Sequence, residues 1–215
     1  MIGIDPGRDG AIAVFDLNLA PLIAVHDMPN FEIKSGKTMK KRLDEHALAK
    51  IIGQIKPDHA WLERVSAMPG QGVSSTFSFG TSYGIVKGIL AALKIPYSEV
   101  TPQSWTKALS VPKGKDGSRK RACELFPDSS HFFERKKDHN RADSALIGYF
   151  GAQQNYIKEF TLKKSFSSDA EVKKWWGRIQ KAVANTGNRY DLNLEARVFD
   201  DKHGPQDFSD PSHYE

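Results

Sequence analysis

The first fifteen residues constrain this chain more than any other stretch. Met1-Ile-Gly-Ile-Asp5-Pro-Gly-Arg-Asp-Gly10-Ala-Ile-Ala-Val-Phe15 places one carboxylate at the end of a short apolar run, breaks at Pro6-Gly7, and resumes an apolar run after Gly10. Two β-rich runs split by a Gly/Pro/Asp cluster predict a hairpin. So apolar a first strand belongs in the middle of a sheet, where Asp5 is costly unless it is paired or holds a cation. The alternative role for Asp5 is an ordinary turn residue capping the Pro-Gly corner.

Beyond the hairpin, strands are expected at residues 22–25, 59–63 and 96–100. Helices are expected from Asp44 to about residue 55, over residues 76–93, after the Thr101-Pro102 cap, through Leu125, and over residues 140–153. The order β-β-β-α-β-α-β-α-α-α predicts an α/β fold, a mixed sheet with helices on its faces. A chain of 215 residues holds one good domain and an appendage. The boundary falls near residue 155, with residues 156–215 forming a C-terminal extension. An amphipathic helix around Trp175, Trp176, Ile179 and Val183 is expected there, followed beyond Asp200 by an acidic, loosely ordered end. Gly80, Gly84 and Gly88 recur every fourth residue and predict close packing of their helix against another element.

The formal net charge of +5 is unevenly placed: residues 1–155 carry twenty-one basic against sixteen acidic side chains, and the rest is neutral. Two basic segments stand out, 34–42 with Lys37, Lys40, Lys41 and Arg42, and 111–120 with Lys113, Lys115, Arg119 and Lys120. Both are expected to be exposed loops that meet a polyanion, nucleic acid first. Cys123 is the single cysteine, so no disulfide forms within the chain and a reducing compartment is expected. The apolar runs are too short to span a bilayer, and the strand pattern starting at Ile2 does not look like a signal peptide; a cytoplasmic protein without membrane partners is expected.

Three acidic features fall at corresponding places: Asp5 ends the first strand, Glu63 ends the fourth, and Asp138-His139-Asn-Arg-Ala-Asp143 opens the last helix of the body. In a mixed sheet the first and fourth strands can lie side by side, with that helix laid across their ends. Carboxylates gathered in this way repel unless a divalent cation neutralises them, and hard cations such as Mg²⁺ or Mn²⁺ take oxygen ligands. Two such ions could activate water and stabilise the leaving oxygen of a phosphodiester.

Ile-Gly-Ile-Asp5-Pro-Gly with Gly10, Trp-Leu-Glu63-Arg-Val, and Asp138-His139-Asn-Arg-Ala-Asp143-Ser-Ala-Leu together resemble the RuvC-type Holliday junction resolvases, a ribonuclease H-like family. The resemblance covers residues 1 to about 155, and Thr101-Pro102-Gln103-Ser104-Trp105 with Lys107 is similar to a segment of its phage members. It implies a ribonuclease H-like mixed five-stranded sheet with helices on both faces. It also implies a homodimeric crossover junction endonuclease that cuts four-way DNA, with Asp5, Glu63 and Asp143 holding two Mg²⁺ ions, Mn²⁺ substituting, and no small-molecule cofactor. His139 occupies the place where phage-like members put a fourth ligand; Asp138 is the second candidate, and helix capping is the alternative for both. Lys107, Lys115 or Lys120 would approach the scissile phosphate. The chain departs from the bacterial members at Ser66, where they place an aromatic residue; Met68, Phe77 or Phe79 could take that part, or Phe77 and Phe79 could be core. Competing functions are a nuclease acting on RNA–DNA hybrid or other branched DNA, and a DNA-binding relative without chemistry. The first turn also resembles the phosphate loop of actin-like ATPases, but the body is too short for two such domains and shows no second Asp-x-Gly hairpin.

Overall fold

The computed structural model describes residues 1–163 apart from 17–19, 37, 68–69 and 71, together with residues 170 and 174. The chain divides into two units, Met1–Gln154 and Asn155–Glu215; the amphipathic helix and acidic end expected in the second lie outside the described residues. Strands β1 (Ile2–Asp5), β2 (Ala11–Asp16), β3 (Ala20–Asp27), β6 (Ala60–Glu63) and β7 (Tyr97–Val100) form a five-stranded sheet in the order β3-β2-β1-β6-β7. β1 pairs antiparallel with β2 and parallel with β6, which itself pairs parallel with β7. This is the mixed five-stranded sheet expected from the sequence, with β1 central.

Strand periodicity of two sends alternate side chains to opposite layers. Ile2, Ile4, Ile12 and Leu62 pack with Leu48 and Ile52 of α1 (Glu45–Ile55) and with Val86 and Leu90 of α2 (Val73–Ala92). Phe15, Trp61 and Val100 pack in a second cluster with Trp105 of α3 (Pro102–Ala108), Leu125 of α4 (Gly117–Leu125) and Leu146 of α5 (His139–Lys163). Helices therefore cover both faces. Contact on the second face is very close: a Cβ added to Gly3 would stand 2.3 Å from the Ser144 carbonyl oxygen. Only glycine admits that approach, which seats the first turns of α5 beside the carboxyl ends of β1 and β6.

The structure corrects the expectation at four places. Segment 34–42 is not a loop: β4 (Asn30–Ser35) and β5 (Thr38–Leu43) form a separate two-stranded antiparallel sheet. Every residue of β5 except Leu43 is exposed, so this strand has no apolar alternation by which to announce itself. The second basic segment is a loop only as far as Asp116, because α4 begins at Gly117. Gly80, Gly84 and Gly88 were expected to mark close packing, yet a Cβ at any of them meets nothing within 4 Å. They line an open face of α2, with Val73 and Phe77 on its exposed first turns. Segment 126–137, expected as a loop, carries two short 3-10 turns, Pro127–Phe133 and Lys136–Asp138, the second ending at Asp138.

Candidate active site

Asp5 closes β1 two residues after Gly3, and so faces α5. Its side chain is 8% exposed, and Oδ1 accepts a hydrogen bond from the Gly7 backbone N–H at 2.9 Å. It is thus both the turn cap and the buried carboxylate of the sequence analysis. Glu63 ends β6 two residues after Trp61, whose ring meets Phe150 of α5, so it faces the same layer. Its Oε1 accepts from the Trp105 indole N–H at 3.0 Å. Asp143 lies on the second turn of α5.

The three carboxylates act on one another. Burial pushes Asp5 up to about 7 against the opposing pull of the Gly7 hydrogen bond, with the charge of Asp143 adding to the rise. Burial, then the charge of Asp5, pushes Glu63 up to about 7; Trp105 opposes this and Asp143 reinforces it. Asp143 is raised by burial, with Ser118 and His139 opposing. Among the described residues none of the three joins an ion pair. Nor, among those residues, is any group of three or more His, Cys, Asp or Glu side chains gathered to hold a metal ion as it stands. The donor set, one buried and two half-buried carboxylates with no cation among them, fits a hard divalent ion in chemistry.

The two candidates for a fourth ligand part company. Asp138 is 2% exposed and turned into the protein. It accepts from the Arg135 backbone N–H at 2.9 Å and from Arg135 Nη2 at 2.8 Å, which closes a capping box. Burial would raise its carboxyl, but the Arg135 contacts outweigh it and hold the group below the usual range. Asp138 is therefore engaged in closing the 3-10 turn ahead of α5, a different cap from the one at the start of α5 that sequence offered as its other role. His139 is exposed and exerts its charge on both Asp5 and Asp143. We expect Asp138→Ala to cost about 2 kcal/mol of stability through the lost buried bonds while the folded protein keeps its cleavage rate. His139→Ala should leave the melting temperature within a degree or two and slow cleavage at least tenfold. Melting curves beside single-turnover rates check both, and the opposite ranking would put Asp138 in the site.

Second-tier contacts were not visible in sequence. The Asn30 side-chain amide donates to the Arg8 carbonyl at 2.8 Å, and that of Asn140 donates to the Asp9 carbonyl at 2.5 Å. The turn beside Asp5 is thereby tied to the ribbon on one side and to α5 on the other. Arg141 grips Asp27 at the end of β3 through both carboxylate oxygens, at 2.5 and 2.6 Å, which fixes the same turn of α5 from below.

Of the basic residues, Lys40, Lys41 and Arg42 lie exposed on β5, with Lys41 Nζ 4.0 Å from Asp9. Lys107 on α3, Lys113 and Lys115 before α4, and Lys120 on α4 are exposed as well. Arg119 is occupied differently from the expectation. Its guanidinium donates to the Phe133 carbonyl at 2.9 Å, the Glu134 carbonyl at 2.5 Å and Asp116 Oδ1 at 2.7 Å, which fastens α4 to the following turns. Lys37 and Met68 lie outside the described residues. Phe77 is 77% exposed near the start of α2, which takes it out of the core; Phe79 is half-buried.

No family model matches the chain. Among curated proteins it is 26% identical over 147 residues to the chloroplastic Holliday junction resolvase MOC1 of Chlamydomonas reinhardtii, an alignment covering 58% of this chain and 17% of that protein. The chain thus matches about a sixth of that relative's length. Among solved structures it resembles Thermus thermophilus RuvC in complex with a Holliday junction substrate, with TM-score 0.49, 16% identity and coverage of 72% of this chain and 94% of that one. A second Thermus thermophilus RuvC structure gives TM-score 0.44 at 13% identity, over 72% and 95% of the two chains.

Proposed function

We propose that this chain is a metal-dependent, structure-selective DNA endonuclease that hydrolyses phosphodiesters at four-way junctions. The observation that carries this reading is the set of carboxylates without a cationic partner, buried Asp5 with half-buried Glu63 and Asp143, brought from β1, β6 and α5 to one side of the sheet. The resemblance to a junction resolvase points to the substrate.

Asp5, Glu63 and Asp143 would hold Mg²⁺, with Mn²⁺ substituting and two ions in each site. Such ions, when bound, supply an activated water and stabilise charge on the leaving oxygen. The rest of the work belongs to the chain. His139 takes up or delivers a proton beside the attacking water. Lys107, Lys115 and Lys120 are the exposed ammonium groups available to the scissile phosphate. Lys40, Lys41 and Arg42 of the ribbon, together with Lys37 and with Lys113 before α4, contact backbone phosphates and give an affinity that falls steeply with salt. Recognition is of branched shape more than of base sequence.

Symmetric cutting needs two sites in one complex, so the active form is proposed to be a homodimer with two-fold symmetry. The open glycine-lined face of α2, carrying exposed Val73 and Phe77, is the candidate contact. Light scattering should give twice the mass of the chain, at least on DNA, and a monomer both free and bound would refute the assembly. Among the described residues no helix is long and apolar enough to cross a membrane; cytoplasmic residence is part of the proposal. Electrophoresis of four-way junction, linear duplex and RNA–DNA hybrid side by side tests the substrate. Selective nicking of the junction in Mg²⁺ is expected, and preferential cutting of the hybrid would replace the assignment.

A further inference from the structure

The three carboxylates share a feature that the proposed chemistry does not by itself require: each is met by a neutral donor. Asp5 takes the Gly7 backbone N–H, and Asp143 is acted on by the Ser118 side chain. Glu63 takes the indole N–H of Trp105, forty-two positions away in sequence and on a different element. An arginine or lysine there would cancel the charge that a cation needs, and a hydroxyl could rotate away. An indole N–H donates once, cannot ligate a metal, and cannot take up a proton.

Trp105 is also held hard. It is 3% exposed, in the same core cluster as Leu109, Val100 and Trp61. Its helix starts from a defined cap, Thr101 Oγ1 accepting the Ser104 N–H at 3.3 Å with Pro102 in the first turn. Glu63 is otherwise a long, three-torsion side chain at a strand end, and it gains a fixed rotamer only through a partner that cannot itself move.

Resting on the reading of Asp5, Glu63 and Asp143 as the cation-binding set, we propose that Trp105 is a positioning residue for that site: its indole N–H fixes Oε1 of Glu63 and leaves Oε2 as the oxygen offered to a divalent cation. The segment containing Trp105 is therefore part of the active centre's support and not only core filling.

The test uses the full chain and needs no cleavage for its first readout. Tryptophan emission of the wild type, titrated with Ca²⁺ or Mg²⁺ in the absence of DNA, is expected to change saturably. Trp105→Phe keeps an aromatic ring in the pocket and removes the donor, and should abolish that change. The same variant should bind a four-way junction in Ca²⁺ with unaltered Kd. It should need about tenfold more Mg²⁺ for half-maximal cutting and show a kcat about tenfold lower, with KM for DNA unchanged. Leu109→Ala controls for packing: it opens the same cluster, and should lower the melting temperature without moving the Mg²⁺ requirement. Wild-type Mg²⁺ dependence in Trp105→Phe, alongside an inactive Glu63→Gln, would overturn the positioning role alone. A Glu63→Gln variant that cuts normally would instead overturn the site on which it rests.

Discussion

Asp5→Asn, Glu63→Gln and Asp143→Asn should each reduce cutting of a four-way junction by about three orders of magnitude or more, with binding unchanged or tighter. The amide variants keep the volume and most of the hydrogen bonding of the native side chains. Asp5→Asn retains an oxygen for the Gly7 N–H, and Glu63→Gln retains one for Trp105. What they remove is a negative charge in a buried place, which is the property that recruits a hard cation. Losing that charge also eases the approach of phosphates, so affinity measured in EDTA or Ca²⁺ should hold or improve. The measurement is a single-turnover rate in Mg²⁺ beside a binding isotherm for each variant. A near-native rate in any one of them removes that residue from the site.

The second large effect is on stability, and it runs opposite to the usual behaviour of acidic side chains. Asp5 and Glu63 titrate near 7 in the folded protein, against about 3.8 and 4.5 for the free groups. A carboxyl raised in this way is a neutral acid at low pH, costs the fold nothing there, and loses its proton at the fold's expense as pH rises. The associated stability is therefore fully present below about pH 4 and lost as pH climbs through about 7. For Asp5 alone this is on the order of 4 kcal/mol, and coupling to Glu63 keeps the two from simply adding. Asp27, Glu99 and Asp138 are lowered, and their contribution disappears only toward the acid end, below the usual carboxylate range. Between pH 5 and 8 the raised pair dominates. The melting temperature of the metal-free protein should fall by several degrees over that interval, and millimolar Mg²⁺ at pH 8 should restore most of the loss. Asp5→Asn should melt higher than the native chain at pH 8 without metal, and respond less to Mg²⁺. A flat profile from pH 5 to 8, or a native chain indifferent to Mg²⁺, would contradict the charge state assigned to the site.

How much of this was legible beforehand divides along a physical line. Asp5, Glu63 and α5 could be placed because each sits at the end of an element with strong periodicity, and because parallel neighbours in a mixed sheet bring those ends together. β1 and β6 do pair, Ile2 with Ala60 and Ile4 with Leu62. The β4–β5 ribbon was hidden because β5 buries only Leu43, so its residues show charge in place of alternation. The roles of Arg119 and Asp138 were hidden for a different reason. A guanidinium that holds two carbonyls and a carboxylate has the same letter as one that waits for a phosphate. Only tertiary geometry tells them apart. The glycines of α2 misled in the opposite sense: their spacing was real, but the described part of the chain offers them nothing to pack against.

The turn between β1 and β2 has a consequence for how such a site can diversify. Gly10 is fixed by space, since a Cβ there would come within 2.2 Å of the Asp5 carbonyl oxygen, and its N–H closes the turn on the Gly7 carbonyl at 2.9 Å. The main-chain oxygens of the intervening residues are tied to other elements, Arg8 by Asn30 and Asp9 by Asn140, while their exposed side chains pair with each other at 2.7 Å and Lys41 stands 4.0 Å from Asp9. The carbonyl anchors themselves do not depend on which side chains stand at these positions, and the side-chain pairs there are exposed and weak. Positions 8 and 9 can therefore exchange one chemistry for another at the rim of the carboxylate cluster while Asp5 stays where it is, as a socket accepts different fittings without being recut.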